Sequence, residues 1–230
     1  MGKLIVIDGL DGSGKATQVG RLYSYLKEQG RNVHKASFPE YSSGSSKAVR
    51  MYLNKELGDD LYKLNPYACS SFYAVDRVIQ FIMTLGDLYN EPDSIMLCDR
   101  YISANVIYQA SKLSTQEERK KLFDWLYDTE VNKLGIPHED ITIVLSVPVE
   151  VSQKLMDMRY AKDGGKKDLH ESNIKFLKDC YDNMQLAVAY LPTQGHNWVE
   201  IDCSDGAGWI RTEDEIHSDI LKLVMPIIDS

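Results

Sequence analysis

The chain has 230 residues, enough to bury a full core, and a single α/β domain spanning 1–230 is the expectation for that length. Its 34 acidic and 26 basic side chains give a net charge of −8, which argues against a nucleic-acid or membrane-surface partner and leaves any phosphate binding to local basic groups. Cys69, Cys98, Cys180 and Cys203 lie far apart with no Cys-x-x-Cys spacing, so neither zinc nor a disulfide framework is indicated, and with no apolar run of membrane length the expectation is a cytoplasmic protein.

The run Lys3-Leu-Ile-Val-Ile-Asp8 reads as a buried strand. It breaks into Gly9-Leu-Asp-Gly-Ser-Gly-Lys-Ala-Thr17, which opens an amphipathic helix carrying Val19, Leu22, Tyr23 and Leu26 and stopped by Gly30. Gly9 and Gly14 are five apart with Lys15 directly after, the spacing of a phosphate-binding P-loop between a strand and a helix. Glycines let successive N–H groups converge on one anion at the positive end of the helix, and the Lys15 ammonium adds a point charge for the outer phosphates. Gly9, Asp11, Gly12, Ser13, Gly14, Lys15, Ala16 and Thr17 are therefore the candidate ATP-binding set. The position after the lysine usually holds Ser or Thr as a Mg²⁺ ligand; Ala16 stands there, and Thr17 faces another side of the helix start.

A second strand is expected over 32–37, followed by Phe38-Pro39 and the serine-rich turn 42–46. Asn65-Pro66 starts a helix whose apolar residues, Phe72 to Met83, require cover on much of its surface. Arg77 lies among them, and such an arginine is either paired with a carboxylate or a ligand contact. A third strand over 94–98 ends in Asp99-Arg100-Tyr101, which puts the acid and the arginine at the carboxyl edge where ligands of open α/β sheets lie. Ser114 and Thr115 with Glu117 and Glu118 offer overlapping capping boxes for a helix to about Leu134. A fourth strand covers 141–146, and helical spacing from about Val149 reaches Arg159. The basic stretch 159–168 reads as a solvated loop or as a lid hinged at Gly164 and Gly165. A helix over about 171–190, a fifth strand over 197–202 and a terminal helix capped by Thr212 and Glu215 complete the chain. Strand and helix in alternation predict a three-layer P-loop kinase fold: a five-stranded parallel sheet flanked by helices, with a short lid.

Taken together, the P-loop with Thr17-Gln18, Phe38-Pro39, Tyr73-Ala-Val-Asp-Arg77, Asp99-Arg-Tyr-Ile-Ser103 with Asn105 and Tyr108-Gln109, and Asp168-Leu-His-Glu171 resemble the thymidylate kinase family over nearly the whole chain. The resemblance implies ATP- and Mg²⁺-dependent phosphorylation of thymidine monophosphate (dTMP) by a homodimer. It implies that Arg100 holds the acceptor phosphate, Arg77 reaches the thymine, Phe38 and Tyr73 pack on its faces, and Asn105 adds a base contact. Tyr108 would lie against the deoxyribose and exclude a 2′-hydroxyl, with Gln109 beside it. By the same resemblance Asp11 contacts the 3′-hydroxyl or the metal, and Glu171 is a second acid near metal or acceptor, unless it only faces a helix dipole. Family members place an arginine in the P-loop or arginines in the lid. Gly12 holds the P-loop position, so transition-state charge falls to Arg159, backed by Lys162, Lys166 and Lys167, which cannot bridge two phosphate oxygens as a guanidinium does. Two rival readings are a deoxynucleoside kinase on the same scaffold, whose neutral acceptor needs a general base, and a non-catalytic ATP sensor, to which Ala16 points.

Overall fold

In the computed structural model, which describes residues 2–163 and 169–230 with the side chains of Arg159 and Asp163 left aside, five strands form one parallel sheet. They are β1 Lys3–Gly9, β2 Val33–Ser37, β3 Ile95–Asp99, β4 Ile141–Ser146 and β5 Trp198–Asp202, in the order β2-β3-β1-β4-β5. The apolar strands alternate between two cores. Leu4, Val6, Met96, Cys98 and Val144 face one side, while Ile5, Ile7, Leu97, Ile143 and Leu145 face the other. Burial on both faces is what makes these strands read as continuous apolar runs rather than alternating ones.

The second core is closed by α1 Lys15–Glu28 and α9 Glu213–Ile228, through Val19, Leu22, Leu26 and Ile216, Ile220, Val224. The first is closed by helices that include α2 Lys47–Leu53, α3 Pro66–Gln80, α5 Ile102–Tyr108, α6 Gln116–Tyr127 and α8 Ile174–Tyr190. The short α4 Gly86–Tyr89 also belongs to that side, and α7 Val149–Asp163 follows β4. The fold class expected from the sequence is the one observed.

The expected boundaries shift in places. The cap that starts α6 is Thr115 with Glu118, in a reciprocal capping box. The helical path expected to Leu134 is α-helical only to Tyr127 and continues as a π turn, Asp128–Lys133. Likewise α3 runs into a π turn at Phe81–Leu85. The helix expected from Glu171 begins at Ile174, because the Asn173 side chain accepts the Phe176 N–H and caps it there. Glu171 therefore lies in the preceding turn and does not sit in a first helical turn. Of the expected lid, Gly164, Gly165, Lys166, Lys167 and Asp168 lie outside the described residues, as does the Arg159 side chain.

Strand order reverses direction at β1, with β3 on one side and β4 on the other. The crevice beyond their carboxyl ends is the ligand position that this topology supplies.

Candidate active site

The loop between β1 and α1 opens that crevice. Gly14 caps α1 in a left-handed conformation and no side chain bonds the first-turn amides, which are left available to an anion. The Lys15 ammonium curls back over the loop and donates to the Leu10 carbonyl at 2.8 Å. Gly12 has φ +82°, and a Cβ there would stand 2.6 Å from the Ser152 carbonyl oxygen and 3.0 Å from Met156 Cγ. The P-loop is thus packed on α7 with no room for a side chain, which gives a physical reason why no arginine stands at position 12. Gly12→Arg is expected to lower turnover by about tenfold or more through left-handed strand-to-loop strain and the clash with α7, despite adding a cation. A steady-state assay with saturating ATP checks it.

A cavity of about 520 Å³ runs along the loop. Its lining includes Asp11 to Gln18, then Phe38, Asp99 and Arg100, and then Ile210, Arg211, Glu213 and Ile216 from the segment that enters α9. Ala16 and Thr17 are both exposed to it. Beside it lies a second, smaller cavity of about 20 Å³, room for roughly one water. Phe38, Tyr73, Arg100, Asn105, Tyr108 and Gln109 all line it, so six of the expected acceptor residues converge on one point. Phe38 and Arg100 border both cavities.

At the junction Arg100 pairs with Asp11, whose other carboxylate oxygen accepts the Tyr108 hydroxyl at 2.8 Å. The Asp11 N–H donates to that same hydroxyl at 3.0 Å. Arg100 has φ +66°, a left-handed conformation unusual for a side chain of its size, and its guanidinium lies 5.6 Å over the Tyr108 ring. Burial raises the Asp11 pKa, but the charges of Arg100 and Lys15 and the Tyr108 hydrogen bond outweigh it and hold the carboxyl at about 2. Behind it Asp8 is fully buried, accepting the Gly9 N–H at 2.8 Å and the Ser103 hydroxyl at 2.6 Å. Burial pushes the Asp8 pKa up, against the lowering charges of Lys15 and Arg100.

The depressed Asp11 value has a consequence for stability. A carboxyl near 2 when folded and near 3.9 when unfolded stabilises the fold above the unfolded value, and loses that contribution as pH falls from about 4 through 2. The loss amounts to about 2 kcal/mol. Urea unfolding at pH 4 and at pH 2 should show it in the native chain and much less of it in Asp11→Asn.

Arg77 stands apart from both cavities. It is fully buried, and its Nε and Nη2 donate to the two Glu130 carboxylate oxygens at 2.6 Å each while Nη1 donates to the Tyr101 carbonyl at 3.1 Å. Of the two readings open for it, the structure contains the carboxylate pair; Arg77 is absent from the lining of the smaller cavity. Asn105 bridges the regions, its amide donating to the Ser70 carbonyl at 3.1 Å and more weakly to Glu130 at 3.3 Å. The Gln109 side-chain oxygen is buried without a hydrogen-bond partner among the described residues. Glu171 is buried and accepts the Tyr160 hydroxyl.

Asp99 was legible in the sequence as an acid beside Arg100 at a strand's end, whereas Asp8, Glu130 and His170 were given no role there. Among the described residues no group of three or more acidic, His or Cys side chains is arranged to hold a metal ion. With Asp11 and Asp99 both bordering the larger cavity, the residues fit a Mg²⁺ that arrives on a nucleotide with most of its water, as this ion commonly does.

A P-loop at a sheet's switch point, with a basic junction between two cavities, defines the class: a P-loop phosphotransferase. A family model described as thymidylate kinase matches residues 7–208. Relatives named thymidylate kinase include one from Mycobacterium tuberculosis, 31% identical over 164 residues, which cover 71% of this chain and 74% of the relative. One from Plasmodium falciparum is 26% identical over 235 residues, 98% and 91% of the two chains, and one from Caldicellulosiruptor saccharolyticus is 28% identical over 189 residues, 80% and 82%. The chain belongs to the thymidylate kinase family.

Proposed function

We propose that this chain transfers the γ-phosphoryl group of ATP to dTMP, and that the carrying observation is the Asp11–Arg100–Tyr108 cluster where the two cavities meet. A phosphate oxygen of dTMP forms a bond to the γ-phosphorus as the bond to the β–γ bridging oxygen breaks, leaving ADP and dTDP. The acceptor phosphate is largely ionised at neutral pH, so no proton need be removed. An acid held near 2 suits that chemistry, since it would be a poor general base but a good fixed partner for a cation or hydroxyl. Two polyanions must be brought into line, so the work is positioning and charge neutralisation.

In this reading the P-loop amides and Lys15 hold the ATP phosphates, and Arg100 holds the dTMP phosphate next to them. Arg159 supplies charge to the transferring group. Asp11 and Asp99 border the larger cavity and would hold a Mg²⁺ arriving on the nucleotide, with Glu171 a further candidate; the ion would supply charge neutralisation for the phosphates. Phe38 and Tyr73 enclose the thymine, Asn105 and Gln109 offer it amide contacts, and Tyr108 packs against the deoxyribose. The Arg77–Glu130 pair forms the floor behind Asn105, with any base contact by Arg77 made from that pair. At about 20 Å³ the acceptor recess must widen before a nucleotide enters. Incubation with ATP and dTMP should yield ADP and dTDP in equal amounts by chromatography, and absence of dTDP would remove the reading.

The homodimer is proposed on α3 and its continuation. Val75, Ile82 and Met83 are 51%, 79% and 70% exposed, large apolar side chains open to solvent along this path. Ile82→Glu combined with Met83→Glu is expected to shift the mass in sedimentation from two chains to one. An unchanged mass would place any interface elsewhere.

A further inference from the structure

The acceptor recess has a wall to which neither the family resemblance nor the mechanism above assigns a role. His170 comes from the turn before α8 and is buried at 6% exposure. Its ring lies 5.4 Å from the Tyr108 ring, centroid to centroid, with the planes 9° apart. Its Nε2 is 2.7 Å from the Tyr52 hydroxyl oxygen, and Tyr52, on α2, is fully buried. The Tyr52 ring packs edge-on against the imidazole at 5.3 Å, and Phe176 at 5.0 Å closes another side.

Tyr108 is thereby fixed at two points. Asp11 holds its hydroxyl through both a carboxylate oxygen and a backbone N–H. His170 holds the ring plane. A Tyr has two side-chain torsions, and one anchor at the tip with one along the ring removes the freedom of both. An apolar residue at 170 would fill the same space. The histidine instead brings a polar atom into the core and bonds it to the hydroxyl of Tyr52, and a buried pair of this kind gains little net stability over a well-packed apolar one. Burial, with Lys112 and Arg100 nearby, pushes the imidazole pKa down to about 3, so the ring that stacks on Tyr108 is neutral.

We propose that His170, tethered by Tyr52, is the positioning residue for Tyr108, and that this three-ring cluster sets how strongly the acceptor site rejects a 2′-hydroxyl. The inference rests on the dTMP reading of the recess, because only an acceptor whose sugar meets Tyr108 would sense the ring's position. It adds to that reading a determinant on two elements, α2 and the turn before α8, that carry none of the phosphate-binding residues.

The test compares dTMP with ribothymidine 5′-monophosphate, in binding by calorimetry without ATP and in kcat/KM with it, on the same preparation of each variant. The ratio between two acceptors does not depend on the fraction of folded protein, so partial unfolding of a variant cannot mimic the effect. His170→Ala should lower the ratio about tenfold and Tyr52→Phe about threefold, the span of an aromatic pair of this geometry. His170→Phe restores a ring face and should recover most of the ratio. An unchanged ratio in His170→Ala, an equal fall in His170→Phe, or native protein that binds both monophosphates alike would overturn the clamp while leaving dTMP phosphorylation standing. Native protein that binds neither monophosphate would overturn both.

Discussion

Replacing Arg100 with alanine is expected to lower kcat/KM for dTMP by about a thousandfold or more, with KM rising and kcat falling together, the range seen when a phosphate-clamping arginine is removed from a phosphoryl-transfer site. Three features of this side chain concentrate the effect. Arg100 borders both cavities, so it can touch acceptor and donor at once. Its main chain is left-handed at φ +66°, a conformation costing about 1–2 kcal/mol that persists because the strand end must turn the guanidinium toward the P-loop. Its removal also strips Asp11 of its main counter-charge inside the site. Arg100→Lys restores the charge without the planar fork and should recover only part of the loss. The check is a steady-state series varying dTMP at saturating ATP; if neither parameter moves in Arg100→Ala, the arginine holds Asp11 and nothing else.

The second large effect is one of stability. Glu130→Ala is expected to cost about 3–5 kcal/mol, because it leaves the wholly buried Arg77 guanidinium without its carboxylate. Exchanging both partners, as Arg77→Met with Glu130→Leu, should return much of that loss, since a buried ion pair replaced by apolar groups of similar size is often near neutral. Urea unfolding of the single and double variants measures both. If Glu130→Ala unfolds at the native midpoint, the pair contributes no net stability. Activity of the double variant then reports separately on Asn105, whose amide lies against Glu130.

The same pair shows where the sequence was legible and where it was not. Strand β4 was readable to the residue because every position from Ile141 to Ser146 is buried and nothing in the run competes with a strand. The P-loop and the Asp99-Arg100 edge were readable because strand ends fix where their residues go in a parallel sheet. Arg77 was readable only as a buried arginine in want of a partner. Glu130 is 53 positions away in a π turn, and no local periodicity links the two. The same distance problem hid Tyr52 and His170, 118 residues apart yet hydrogen-bonded. The misplaced start of α8 had a local remedy. Asn173 followed by Ile174 and Leu177 is a better cap-and-stripe signal than Glu171, and the structure uses it.

Ala16 is the residue on which the P-loop departs from its usual pattern, and the surrounding geometry bears on its meaning. Lys15, the uncapped amides of α1, and Arg100 remain arranged around one cavity of about 520 Å³. Three carboxylates border that cavity, at Asp11, Asp99 and Glu213. The missing hydroxyl thus removes one potential metal contact from a site that retains its phosphate-binding groups.

The most direct measurement is ADP release in a coupled assay, with ATP and Mg²⁺, against a panel of acceptors: dTMP, the other nucleoside monophosphates, thymidine, and none. The structure and the family together predict turnover with dTMP well above every other acceptor and none with thymidine. Turnover with thymidine alone, or none with any acceptor, would contradict the account.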